Sequence, residues 1–225
     1  MSTGIGRVRS MEAGTYEEIR RRILAGELPP GTALALADLA AELDVSTMPV
    51  RAALARLTSD GLVRRLRSRG SIVAPLEIED FEEIQALRAG IEAFAARLGV
   101  ERIDDQGIAE MRQHLDRLTQ LSAAELLHEY RVVEWDLHAC CYRAAGRPRL
   151  LALVQDYRLR AERYSRLAIA SSPGFRHPLH IQQRLFECAE AHDAEGAVTV
   201  IREALEWSVA QVRYVLEASE SPDGA

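Results

Sequence analysis

The chain contains no lysine: all 28 of its basic residues are arginine. It has three cysteines, Cys140, Cys141 and Cys188, an odd number without metal or redox spacing. That excludes the disulfide scaffold of a small secreted protein, and thiols buried in a reducing compartment are expected. No stretch approaches the ~20 uninterrupted apolar residues of a membrane span, and no basic-then-apolar leader opens the chain. The expectation is a cytoplasmic protein without a membrane partner. Signatures of catalysis are also missing. There is no HExxH, no GxSxG, no phosphate-cradling glycine-rich loop and no paired ExxH of the di-iron kind, so no enzymatic activity is expected.

What is present is ordinary in bulk and uneven in distribution. The 225 residues are 48% apolar and 28% charged, enough for one large domain or a small one plus a medium one. The net charge is −6, weakly against a general nucleic-acid binder. Up to Pro75, however, 11 arginines stand against 8 acids, and from Leu76 onward 17 stand against 26. A basic front on an acidic remainder is the pattern of a DNA-binding module joined to a separate regulatory domain.

The most informative stretch runs from Leu39 to Leu57. Leu39, Ala40 and Leu43 give one short apolar face, and Val50, Ala53, Leu54 and Leu57 give a second after a tight polar turn. This is the spacing of a helix-turn-helix. Ser46 or Thr47 can cap the second helix, and Pro49 is tolerated in its first turn. The exposed residues at its start are then Ser46, Thr47, Met48 and Arg51, where such motifs enter the DNA major groove. Met48 either meets a thymine methyl or packs on the neighbouring helix.

Around this core, residues 1–10 are Gly/Ser-rich and are expected as a disordered arm, in which Arg7 and Arg9 can reach phosphate. Met11 to Ala25 has helical spacing through Tyr16, Ile19 and Ile23. Gly26 stops it ahead of a Leu28-Pro29-Pro30-Gly31 turn. After Ser59-Asp60-Gly61, the runs Leu62–Leu66 and Ser71–Ala74 read as a hairpin, with Arg67, Ser68, Arg69 and Gly70 between them. Arg64, Arg65 and Arg67 can contact phosphate or form a solvated strand edge. Helix, helix-turn-helix and hairpin make a winged helix over residues 11–75.

The run Arg22 to Gly31, then Leu39-Ala40, Val45-Ser46, Pro49 to Leu54, Leu57, Asp60 to Val63, Arg69-Gly70 and Val73 resembles the DNA-binding domain of the GntR family of bacterial regulators. The resemblance covers about residues 15 to 75. It implies DNA contacts from Ser46, Thr47, Met48, Arg51, Arg69 and Gly70. It also implies arginine at the positions of Thr47 and Ala37, and neither residue here is charged. Each lost guanine-reading arginine removes ~1–3 kcal/mol of base discrimination.

A short acidic linker, residues 76–80, leads into a part that is helical throughout, 81–218, with a disordered tail at 219–225. Six helices are expected, with seven as the alternative count: Glu79–Leu98, Asp104–Leu121, Ala123–Ala145, Pro148–Ile169, Leu179–Ala191 and Ala194–Glu217. The fold class is therefore mainly α, a winged helix followed by an antiparallel bundle. Leu87-Arg88 with Ile91-Glu92, Glu134 to His138, Ala144 to Leu150, and Asp193 with Ala197 and Ile201 resemble the FCD effector-binding domain of the FadR subfamily.

That resemblance implies a divalent metal held by an Asp and three His. Glu134 stands at the Asp position and His138 at the first His; the other two fall on Gln182 and Ala204. Glu134 and His138 are then either a poor metal pair, completed only if His177 or His180 reaches in, or a buried hydrogen-bonded pair. No cofactor is required. Arg88 lies on an apolar face and needs Glu92 or an anionic ligand as partner. Arg88, Glu134, His138, Tyr142, Gln182 and Trp207 are the candidate effector-binding residues; Tyr142 and Trp207 serve equally as core.

The expected function is a sequence-specific transcriptional regulator, a repressor, binding a pseudo-palindromic double-stranded operator as a homodimer. A small-molecule effector, an organic acid or related metabolite, would modulate it. The alternative is a non-enzymatic ligand-binding or interaction protein with weakened DNA binding.

Overall fold

The computed structural model describes residues 3–66, 70–121, 129–171 and 179–220, with side chains over 11–66, 70–121, 129–166 and 179–218. The chain divides into two compact units, Met1–Glu77 and Ile78–Ala225.

In the first unit, α1 spans Thr3–Leu24, α2 Leu36–Glu42 and α3 Thr47–Ser59. Residues 3–10, expected as an unstructured arm, continue α1 instead. Extending a nucleated helix adds one hydrogen bond per residue fixed, and no proline interrupts the run. The inward stripe of α3 is Val50, Ala53, Leu54 and Leu57, all buried. It meets Tyr16, Ile19 and Ile23 of α1 in the core of the unit. Between α2 and α3 the chain reverses at Asp44, which takes φ 51°. Gly61 leaves α3 at φ 75°, a left-handed conformation that strains any residue with a Cβ.

The hairpin forms as the sequence indicates. Strand β1, Val63–Arg65, pairs antiparallel with β2, Ser71–Val73, in the register Val63↔Val73, Arg64↔Ile72, Arg65↔Ser71. Its core-facing residues Val63 and Val73 are buried, while Arg64 and Arg65 face solvent. A third segment, not anticipated, completes the sheet edge. Ala33 bridges to Ile72, the Gly31 amide donates to the Val73 carbonyl (2.9 Å), and the Leu34 amide donates to the Ser71 carbonyl (2.8 Å).

The second unit contains six helices among the described residues: α4 Ile78–Val100, α5 Asp105–Gln120, α6 Tyr130–Ala144, α7 Pro148–Ser171, α8 Leu179–Glu190 and α9 Ala194–Glu220. Helix α4 begins inside the expected 76–80 linker. The stretch 123–128, expected as the start of α6, lies outside the described residues, as does most of the expected tail. Asp104 caps α5 by accepting from the Gly107 amide (2.8 Å), and Asp193 serves α9 in the same way through Gly196 (2.9 Å). A shared core of Val100, Met111, Leu137, Leu185, Phe186 and Ile201 joins the helices. Cys140 and Cys141 are buried within it as expected, whereas Cys188 is half-buried; all three are free thiols.

Helices α4 and α6 approach closely at Gly99. A Cβ there would overlap the backbone carbonyl of Cys141, which a side-chain rotation cannot relieve. Gly99→Ala is therefore expected to destabilise the second unit by roughly 1–3 kcal/mol, read as a lowered thermal midpoint. Gly90→Ala on the same helix, where an added Cβ meets nothing within 4 Å, should not lower it.

Candidate functional site

Two sites emerge, one in each unit: an exposed cationic face in the first and a buried charged centre in the second. On α3, Ser46, Thr47, Met48 and Arg51 are all exposed, Met48 at 66%. Ser46 is the N-cap residue, but neither it nor Thr47 provides the expected hydroxyl cap. Proline supplies the reason: Pro49 occupies the third helical position, so the amide that a cap hydroxyl commonly satisfies does not exist.

Among the described side chains of this unit, Arg20, Arg21, Arg22 and Arg64 are paired with acids. Arg21 donates to Glu18 and Glu27, and Arg22 to Glu18 and Glu42, at 2.6–3.1 Å. Arg56 stacks over the Tyr16 ring at 3.7 Å, and the Tyr16 hydroxyl donates to Asp60 at 2.7 Å. Arg64, expected at phosphate, donates to Glu77 at 3.0 Å, a pair nearly half exposed and therefore weak. Among the described side chains of the unit, Arg51 and Arg65 are the guanidinium groups with neither an acid nor a ring against them. Both line a cleft of about 860 Å³ between the start of α2, the outer side of α3 and the hairpin. Ala37, uncharged, lines the same cleft, as does Gly70, whose carbonyl accepts from the Leu66 amide (2.9 Å) to close the hairpin. Arg67 and Arg69 lie outside the described residues.

The second unit buries a network of charges and polar groups contributed by α4, α6, α7 and α8. Arg88 is 4% exposed and donates through Nε to Glu92 (2.6 Å) and through Nη1 to Gln85 (2.7 Å). Arg158 stands between the two buried carboxylates, 3.6 Å from Glu92 and 3.4 Å from Glu134. Arg131 reaches Glu134 at 3.1 Å. Burial alone would raise the Glu92 carboxyl, but Arg88 and Arg158 hold it below its ordinary value. His138 is driven the other way: burial first, then the Arg158 charge, lowers its pKa and keeps it neutral.

Hydrogen-bond directions follow from these charges. The Gln182 amide must present its NH₂ to Glu134 (3.3 Å), so its oxygen faces His138 Nε2 at 2.8 Å and accepts a proton from it. In a neutral ring Nδ1 is then an acceptor, 3.1 Å from the Tyr142 hydroxyl, which also reaches Glu92 at 2.9 Å. One hydroxyl proton serves two acceptors. The chain Glu134–Gln182–His138–Tyr142–Glu92 is thus one proton short of full satisfaction while His138 is neutral.

Of the six expected effector residues, Arg88, Glu134, His138, Tyr142 and Gln182 converge. Trp207 does not. Ile201, Ala204, Leu205 and Ser208 form the cavity-facing stripe of α9 at i, i+3, i+4, i+7, and Trp207, half-buried, falls off that stripe. Glu134 and His138 are not bonded to each other but bridged by Gln182. Arg158, Arg131 and Gln85 were not anticipated. Arg158 carried a usable signal, since Val154, Arg158, Ala161 and Ser165 fall on one buried helical stripe.

The metal-binding arrangement does not fit these residues. His138 Nε2 donates a proton to Gln182 and so offers no lone pair, Ala204 has no donor atom, and His180 is exposed. Three guanidinium groups, those of Arg88, Arg131 and Arg158, already face the two carboxylates. Among the described residues no group of three or more His, Cys, Asp or Glu side chains is placed to hold a metal ion; His177 lies outside them.

A winged helix-turn-helix carried with a separate all-helical unit whose centre is polar and buried defines a two-part transcriptional regulator. The comparisons specify which kind. Residues 12–73 match the family described as "Bacterial regulatory proteins, gntR family", and residues 83–206 match the FCD domain. The chain belongs to the GntR family, among members carrying an FCD domain. It is 28% identical over 215 residues to the HTH-type transcriptional regulator BphR of Paraburkholderia xenovorans (strain LB400), covering 93% of this chain and 88% of that protein. The solved structure of E. coli McbR/YncC has the same fold, with a TM-score of 0.72 at 23% identity over 93% of this chain and 99% of that one. Over the front of the chain, the gluconate operon transcriptional repressor of Bacillus licheniformis is 38% identical across 89 residues, 39% of this chain and 36% of that protein. No described helix is long and apolar enough to cross a membrane.

Two outcomes are expected. Arg51→Ala should weaken binding to a cognate DNA site by ~1–3 kcal/mol and relax base preference. Arg65→Ala should instead reduce the slope of log affinity against log salt by about one, both read by gel shift across a salt series. The second outcome concerns pH. Because the folded-state pKa of His138 lies below its ordinary 6.5, the unfolded chain binds the extra proton first. Stability is then full above pH 6.5 and falls as the pH drops below it. Denaturant titrations from pH 7.5 to 5 should show that loss, reduced in His138→Gln.

Proposed function

We propose that this regulator is a cytoplasmic, ligand-responsive repressor of the FadR-subfamily type that grips a pseudo-palindromic operator as a homodimer. Its effector is a small organic acid, held in the second unit without a metal ion. The observation that carries the effector class is the company of Arg88 and Arg158. Both are buried, and with Arg131 they bring three guanidinium groups to two carboxylates. Beside them Gln85 Nε2 is a buried donor without a hydrogen-bond partner. A surplus of desolvated cation with a spare N–H donor suits a carboxylate.

The cavity at this centre is about 10 Å³, room for roughly one water molecule. It is lined by α4, α6 and α9, so an effector enters only as those helices separate. Binding energy specific to the opened form would then shift the population of states, which is how occupancy reaches the DNA-binding function. On DNA, Arg51 and Ser46 to Met48 read bases, while Arg65 and the hairpin tip hold phosphate. The uncharged Ala37 and Thr47 favour an operator unlike the family's usual one, and they are also the residues that support an interaction protein with weakened DNA binding.

A thermal-shift screen of small carboxylates and sugar acids separates these readings, since a ligand of the folded state raises the melting temperature. The expected result is an acid that raises it, releases the protein from its own upstream DNA in a gel shift, and loses both effects in Arg88→Met. Stabilisation by neutral or cationic compounds alone would sink the organic-acid reading. Failure to bind any duplex after random-site selection would sink the repressor reading. Chelator treatment should leave the melting temperature unchanged.

A further inference from the structure

We propose that the outer face of α4 is a two-fold docking seam for a second copy of this chain, centred on Gly90. The proposal rests on the homodimer reading above and gives it a surface and a geometry.

The inner side of α4 is fully used: Phe81, Ile84, Gln85, Arg88, Glu92 and Ala96 are buried in the bundle. The outer side presents Glu83, Leu87, Gly90, Phe94 and Arg97, all exposed. They recur at intervals of four, three, four and three residues, the 3.5-residue seam by which one helix packs along another. Leu87 is 43% exposed and Phe94 55%, large apolar side chains separated by one glycine on a single stripe.

Gly90 has no explanation inside the molecule. Glycine weakens a helix interior, and a Cβ added here would meet nothing within 4 Å. It takes no left-handed conformation either. Absence of a side chain helps only if something outside approaches the helix closely at this point.

The sequence about Gly90 says what that something is. Two copies of α4 crossing antiparallel at Gly90 place Leu87 of each against Phe94 of the other. Glu83 and Arg97, seven residues to either side, then meet across the axis, twice by symmetry. A parallel pairing would set Glu83 against Glu83 and Arg97 against Arg97, so charge selects the antiparallel arrangement. A self-complementary patch of this kind is what an isologous two-fold interface requires. The seam runs ~21 Å at 1.5 Å per residue. Helix α9 borders it at both ends, through the Arg213–Glu82 pair and the Arg97–Glu195 pair (2.7 Å), and adds area on the same side. Arg97 has five N–H donors, enough for Glu195 and for a second carboxylate.

Sedimentation velocity on the full chain tests the seam. Glu83→Arg and Arg97→Glu should each weaken the dimer at least tenfold while circular dichroism stays unchanged. An equimolar mixture of the two variants should restore wild-type assembly, because every altered position then faces its opposite charge. Gly90→Leu should also loosen the dimer without lowering the melting temperature of the isolated fold, a split that damage to the helix itself would not produce. Wild-type protein that stays monomeric across the concentration range would overturn both this seam and the homodimer reading. A dimer that persists unweakened in Glu83→Arg and Gly90→Leu would overturn the seam alone.

Discussion

Glu92 is 1% exposed and Glu134 2%, and a carboxylate so placed costs several kcal/mol unless a cation reaches it. That constraint shapes the helical unit. Arg88 answers Glu92 from the next turn of α4, and Arg158 crosses from α7 to stand between both acids. Gln182 on α8 ties Glu134 to His138, and Tyr142 ties His138 to Glu92. Four helices are thus pinned to one polar centre, and moving any one of them leaves a buried charge or hydrogen-bonding group without a partner. An apolar core of the same volume would be at least as stable. Retention of so many charges in a regulator's sensing unit accords with a site that recognises charge.

The same centre bears on the metal-binding arrangement that the FCD resemblance implies. Gln182 and Ala204, where that resemblance implies histidine, supply no imidazole, and the Arg158 guanidinium brings a fixed positive charge to Glu134. A cation supplied by the chain differs from one drawn from solution: it cannot dissociate, and its planar N–H groups point where α7 aims them. His138 illustrates the consequence. Its Nε2 is committed to Gln182, and its neutrality follows from burial and from the neighbouring Arg158 charge.

In the DNA-binding unit the organising constraint is the opposite one, which arginines are left unpaired. Glu18 alone engages two of them, and Tyr16, whose hydroxyl donates to Asp60, takes the Arg56 guanidinium over its ring. Arg51 and Arg65 are left facing the cleft. A basic front read from composition overstates the available positive charge, because Glu18, Glu27, Glu42 and Glu77 engage Arg21, Arg22 and Arg64. The surface that can meet phosphate is narrower than the count of arginines suggests, and more specific.

The sequence by itself determined the elements. Helical spacing at Val50, Ala53, Leu54 and Leu57, alternation around Val63 and Val73, and stop signals at Gly26, Gly61 and Asp193 act over a few residues, where local sterics and burial pattern suffice. Arg88 was legible for the same reason, a charge on an otherwise apolar stripe. Arg158 obeyed the same rule but sat among Asp156, Arg160, Glu162 and Arg163, which blur the stripe. What only the tertiary structure decided is which atoms meet. His138 and Gln182 are 44 residues apart, Tyr142 and Glu92 are 50 apart, and the direction of each hydrogen bond is set by the partner's charge on another helix. Trp207 shows the limit most plainly. A turn of 100° per residue separates a cavity wall from a half-buried edge, and only the packing of α9 against α4 fixes which side faces inward.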